Sequence, residues 1–152
     1  MLSCDGGLAV AKLGSICVVV WRAAVTRERF EAQRVGLEWV VRSHPEGAGF
    51  LCLIEGGSPI PDDDMRRASA NMISIHRPRL KYVACVMEGD GLRAAAVRLA
   101  LTAMRQLVTG KVESGFFATT AEAAPHLGLH FPIGSEESFV ASVEAIRAQL
   151  GS

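Results

Sequence analysis

The sequence predicts a single-domain α/β protein. A mostly parallel sheet of four to five strands is opened by a β-hairpin and followed by an extra C-terminal helix. Three observations carry that expectation. Short apolar runs alternate with segments of helical periodicity, the order that builds a parallel sheet through crossover helices. The run "ICVVVWRAAV" is continuously apolar over its first half, as a strand covered on both faces is. No linker, low-complexity tract or repeat interrupts the 152 residues, a length that buries roughly two-thirds of the unfolded surface. Residues 1–134 are expected to form the domain, and 135–152 a helical extension packed on it.

The elements follow in order. "LAVAKL", Leu8 to Leu13, and "ICVVVWRAAV" are split by Gly14-Ser15, which reads as the opening hairpin. Thr26 supplies a cap for a helix running to about Ser43, where His44-Pro45, Gly47 and Gly49 stop it. Phe30, Leu37 and Val41 share one face of that helix, with Val40 at its edge. Ala32, Val35 and Trp39 fall roughly opposite, a second apolar patch that a helix lying on a sheet does not need. "GFLCLIEGG" is a strand, and Asp62 to about His76 a helix with Met65, Met72 and Ile75 expected inward and Arg77-Pro78 as its stop. "LKYVACVMEG" is another strand. Asp90 is expected to cap a long helix from Gly91 to about Val108, with Thr109-Gly110 as exit. "KVESGFFAT" is a weaker strand, and Thr119 with Glu122 forms a capping box for a short helix that tolerates Pro125 in its first turns. Ser135 caps a last helix whose Phe139, Val143, Ile146 and Leu150 make one stripe.

Composition removes several function classes. Lys+Arg and Asp+Glu both total 16, so the chain lacks the basic footprint of a nucleic-acid binder, and aromatics at 6% do not furnish a base-stacking surface. No apolar run approaches the length of a membrane span, and no basic and apolar leader opens the chain, so a cytoplasmic protein is expected. Cys17, Cys52 and Cys85 lie mid-strand, where thiols act as small hydrophobes, and no C-x-x-C spacing suggests zinc. No cofactor motif is present, and no catalytic or metal role is assigned.

The stretch "IEGGSPIPDDDMRRASANM" draws most attention. Three consecutive aspartates do not make a metal cage, because neighbours on a helix point about 100° apart. Asp62 suits an N-cap, and Asp63 and Asp64 suit the positive end of the helix dipole. Glu55 and Glu88 end two neighbouring strands, where α/β domains bind ligands, so Glu55, Asp62 and Glu88 could form an acidic pocket for a metal or small ligand. "EGGSP" and "EGDGLR" are glycine-rich turns without a full phosphate-binding motif. His126 and His130 have metal-ligand spacing but no third ligand; His44 and His76 sit at helix C-termini, where a cation complements the dipole.

The order of elements, the segment "FFATTAEAAPHL" (Phe116 to Leu127) and the helix "DGLRAAAVRLALTAM" before it resemble the STAS domain of bacterial anti-sigma-factor antagonists, over about Leu8 to Leu127. The resemblance implies a non-enzymatic regulatory module that binds another protein. Its better-studied members carry a serine at the start of the helix after the third strand that the partner kinase phosphorylates. Here Ser58 lies in the loop, while Asp62, Asp63 and Asp64 occupy the helix start, and His126 replaces the usual tryptophan. Partner binding is therefore expected through the loop and helix at 56–67: Gly57, Ser58, Asp62, Asp63, Asp64, Arg66 and Arg67. Alternatives are the acidic ligand pocket and a self-associating protein using Ala32, Val35 and Trp39. The Trp39 patch is expected to be covered by the last helix, by a partner or by a second copy in a homo-oligomer.

Overall fold

The computed structural model describes residues 1–59, 61–89, 91, 95–96, 98–99, 102 and 112–151. Strands β1 (Ser3–Cys4), β2 (Leu8–Leu13), β3 (Ile16–Trp21), β4 (Ala48–Ile54), β5 (Leu80–Met87) and β6 (Ser114–Phe117) form one sheet in sequential order. Helices α1 (Arg27–Ser43), α2 (Asp63–His76), α3 (Thr120–His130) and α4 (Glu136–Ala148) pack on it. The expected helix from Gly91 to Val108, its Asp90 cap and the resemblance drawn on it lie almost wholly outside the described residues.

The fold is α/β as expected, with one correction: the sheet has six strands rather than four to five. The antiparallel β2–β3 hairpin opens it as expected, β1–β2 adds a second antiparallel pairing, and the three pairings from β3 to β6 are parallel. The missed strand β1 is only two residues long, too short to show a period. It is turned into β2 by Asp5, whose carboxylate accepts from the amides of Gly7 and Leu8 at 2.8 Å.

Strand alternation explains the layers. On β3, Cys17, Val19 and Trp21 enter one core with α1 and α2, while Ile16, Val18 and Val20 enter the other with α3 and α4. On β4 and β5, Phe50, Ile54, Val83 and Met87 face the first core, and Leu51, Leu53, Ala84 and Val86 the second. Both crossovers, β3–α1–β4 and β4–α2–β5, move the same way along the sheet. Right-handed connections therefore put α1 and α2 on the same face. Gly49 lets Phe131, the C-cap of α3, lie on β4: a Cβ there would stand 2.6 Å from the ring.

The caps match expectation. Thr26 Oγ1 accepts from Arg29 N, Asp62 Oδ1 from Met65 N at 2.9 Å, and Ser135 Oγ from Ser138 N at 3.0 Å. Thr119 Oγ1 accepts from Glu122 N, and Glu122 reaches back to the Ala118 amide, one residue before a strict capping box. The α4 stripe of Phe139, Val143, Ile146 and Leu150 is fully buried. The α2 face is rotated from the expected one: Ala70, Met72 and Ile73 are buried, and Ile75 is 65% exposed. With the buried Ala70, Met72 and Ile73 defining the inward face, Ile75 falls well over about 100° from its centre at about 100° per residue. On α1, Gln33 and Gly36 join Leu37, Val40 and Val41 in the buried face.

These placements make Phe139→Ala costly, about 3–5 kcal/mol, because the ring is buried between α4 and the sheet. Ile75→Ser, a change at an exposed position, should stay within about 0.5 kcal/mol. Urea denaturation of both variants checks the α2 rotation: a large loss for Ile75→Ser would return that side chain to the core.

Candidate functional site

Three strands end in a charged residue at the same level: Arg22 after β3, Glu55 after β4 and Glu88 after β5. A fourth charge, Arg147, reaches them from the last turn of α4. Arg22 grips Glu55 with both forks, Nε to Oε2 at 2.7 Å and Nη2 to Oε1 at 3.0 Å. Arg147 donates from Nε to Glu55 Oε1 at 2.8 Å and from Nη1 and Nη2 to Glu88 at 2.7 and 2.5 Å. Arg22 also donates to the Gly151 carbonyl, which ties down the chain after α4. The guanidinium of Arg22, and then that of Arg147, holds the Glu55 carboxyl below its ordinary range against the opposing effect of burial. Bidentate charged pairs of this kind are the stronger class of hydrogen bond.

The expected acidic pocket does not form. Glu55 and Glu88 are brought together, but by two arginines that occupy their oxygens, and Asp62 is directed instead at the α2 N-terminus. Among the described residues no three His, Cys, Asp or Glu side chains are grouped as metal ligands.

The loop at 56–67 sits beside this cluster. Gly56 and Gly89 bring the two strand-end loops into backbone contact, a Cβ on Gly56 meeting the Glu88 carbonyl at 3.4 Å and Gly89 holding φ at +111°. Ser58, expected at the surface, is buried, its hydroxyl donating to the Trp21 carbonyl at 2.7 Å. Arg66 is half-buried, donating to the Pro61 carbonyl at 2.8 Å and pairing with Asp63. Gly57, Asp62, Asp63, Asp64 and Arg67 are exposed, although the Asp62 carboxylate is engaged as a cap.

The same loop borders a cavity of about 500 Å³ on the α1/α2 face of the sheet. Its floor is Phe50, Cys52 and Ile54 of β4, Val83 and Cys85 of β5, and Ser114 and Phe116 of β6. Phe30 and Gln33 of α1 and Met65, Ser69, Met72 and Ile73 of α2 wall it. Trp21, Val25, Ser58, Pro59 and Pro61 close the side toward the strand ends, and Val112 and Glu113 the side toward β6. The size falls in the usual range for small-molecule sites, about 300–1,000 Å³. The wall is mostly apolar.

Two polar groups stand out on it. Gln33 is 3% exposed, and its Oε1 accepts from the Trp21 indole N–H at 2.9 Å. Because the indole only donates, that bond fixes which end of the amide is oxygen and leaves the NH₂ facing Met72 Sδ at 3.8 Å, a weak acceptor. Ser114 Oγ is buried without a hydrogen-bond partner among the described residues. Cys52 and Cys85 lie opposite each other on β4 and β5, but burial pushes both thiols up, Cys85 to about 12, so they are protonated and unreactive at neutral pH. Cys17 is likewise pushed up to about 12 by burial.

The histidines are engaged elsewhere. His130 stacks on Tyr82 with centroids 4.7 Å apart and lies 3.5 Å from Glu113, and His126 packs on Phe117. His44 caps α1, and His76 ends α2, where burial lowers its pKa and favours the neutral ring over the cation expected there. Of the second α1 patch, Ala32 packs half-buried against the first core, while Val35 and Trp39 are 49% and 48% exposed. The last helix does not cover Trp39, because α4 packs on the opposite face of the sheet. Lys12 Nζ lies 5.1 Å from the Trp39 ring centroid.

Gln33, Arg22 and Arg147 were not singled out from sequence. Gln33 had a signal, a polar residue at helical spacing inside the stripe of Phe30, Leu37 and Val41. Arg22 also had one, since the charge after "VVVW" repeats the pattern of the charges after "LCLI" and "ACVM".

No family model, curated protein or solved structure matches this chain.

The charge cluster sets a pH dependence. Glu55 has a lowered folded pKa, so its contribution is complete above the ordinary carboxyl value of 4.5 and is lost as pH falls through the lower folded value. Glu55→Gln should cost about 1–3 kcal/mol at pH 7, since it removes the carboxylate paired with Arg22 and one of the two paired with Arg147. The variant should also lose less stability than the native chain on acidification below pH 4.5, as read by thermal melts across pH.

Proposed function

We propose that the chain is a non-catalytic binding domain whose ligand is a small, largely apolar molecule held between α2 and the β4–β6 floor. The observation that carries this reading is the cavity of about 500 Å³ with its apolar wall, beside the loop at 56–67. Burial of an apolar ligand at about 25 cal/mol per Å² is the only large driving force such a wall offers. Among the described residues the thiols around it are protonated by burial, the acids at the strand ends are paired with arginine, and His126 and His130 pack on aromatic rings.

A second reading keeps the partner-binding role that the STAS resemblance implies. It is supported by the exposure of Gly57, Asp63, Asp64 and Arg67 on the loop and first turn of α2. The two readings join if ligand occupancy alters the surface that a partner meets, since Pro59, Pro61 and Met65 line the cavity within that same segment.

A titration with the neutral fluorescent probe N-phenyl-1-naphthylamine tests the first reading. Saturable enhancement is expected, and in Trp39→Phe the remaining tryptophan, Trp21 in the cavity wall, should respond. Ser69→Trp, which fills the cavity from α2, should weaken the probe by about tenfold or more while the fold melts cooperatively. Asp63→Asn with Asp64→Asn should leave probe binding unchanged. Probe binding insensitive to Ser69→Trp would remove the cavity as its site.

A further inference from the structure

The polar groups on the cavity wall say more about the ligand than its volume does. This inference rests on the ligand-binding reading and narrows it. We propose that the ligand is an uncharged amphiphile carrying a hydrogen-bond acceptor, such as a ketone, ester or amide, which is met by the Gln33 amide N–H.

Gln33 is built for donation. The Trp21 indole consumes its oxygen at 2.9 Å and fixes the amide plane, and the NH₂ is left with a thioether at 3.8 Å in a site only 3% exposed. A buried amide donor so poorly matched gains most from an acceptor brought in by a ligand. Met72, the thioether in question, also lines the cavity, so an acceptor entering there displaces a weak contact rather than a good one.

Charge decides against an anionic head. The lining contains no lysine, arginine or histidine among the described residues, and its one carboxyl group there is that of Glu113. The nearby guanidinium groups are turned away and saturated, Arg22 on Glu55 and Arg147 on Glu55 and Glu88. Among the described residues a carboxylate in this cavity would find no counter-charge to offset its desolvation, a cost that a neutral acceptor does not meet. Ser114 offers a second hydroxyl on β6, without a partner among the described residues, three strands from β3 and at the level of Cys17, four residues along that strand from Trp21.

The test is displacement of N-phenyl-1-naphthylamine from the full chain by ten-carbon competitors that differ in the head: 2-decanone, decanoate, decylammonium and decane. The ketone should compete at about tenfold lower concentration than decanoate and than decane. Gln33→Glu keeps the acceptor for Trp21 but replaces the donor with a negative charge, so preference should pass from ketone to ammonium. A preference for decanoate in the native chain overturns the proposal. Equal competition by ketone and decane also overturns it while leaving the apolar cavity as the binding site. Absence of probe binding removes both readings. If Gln33→Glu fails to fold, the competitor order in the native chain still decides.

Discussion

Burial of both faces of β3, β4 and β5 is the constraint from which the rest of the molecule follows, because side chains from these strands alternate between two apolar cores and each face needs a cover. The short connections to α1 and α2 cover one face through crossovers of the same hand. The other face has no crossover helix among the described residues, and α3 and α4, reached after β6, cover it instead. The final helix is thus half of a layer rather than an appendage, which is why its stripe from Phe139 to Leu150 is so regular.

Closing the second face also organises the charges. With α4 on that side, Arg147 arrives over the ends of β4 and β5 and bridges Glu55 to Glu88, while Arg22 completes the set from β3. The ligand end of an α/β sheet is commonly polar and open. Here it is locked by mutual neutralisation, and the open space lies instead under α2 against the β4–β6 floor. The 56–67 loop joins these two regions: Gly56 lies against the Glu88 end of β5, and Pro59, Pro61 and Met65 line the cavity.

Much of the fold was legible in the sequence. The caps Thr26, Asp62, Thr119 and Ser135 and the α4 stripe could be read because they depend on spacing within one element. Strand β1 could not, since two residues carry no period, and Ile75 was misassigned because a sparse apolar pattern on α2 allows more than one inward line. The site was less legible. A cavity arises from how far two layers stand apart, which no local pattern records, and the Arg147 bridge spans 92 residues to Glu55. The acids Glu55 and Glu88 were correctly seen as neighbours, yet their meaning changed once the arginines stood between them. Ser58, the residue the STAS resemblance brings forward, proved to be a buried hydroxyl holding the loop to Trp21.

The account turns on whether the space bounded by Phe50, Met72, Cys85 and Phe116 is an accessible apolar cavity. Crystallography under xenon pressure tests that most directly, since xenon settles in dry apolar cavities and avoids polar or filled ones. The account predicts xenon density within van der Waals contact of those four side chains. Absence of xenon there, with side chains of the chain itself filling the space, would contradict it.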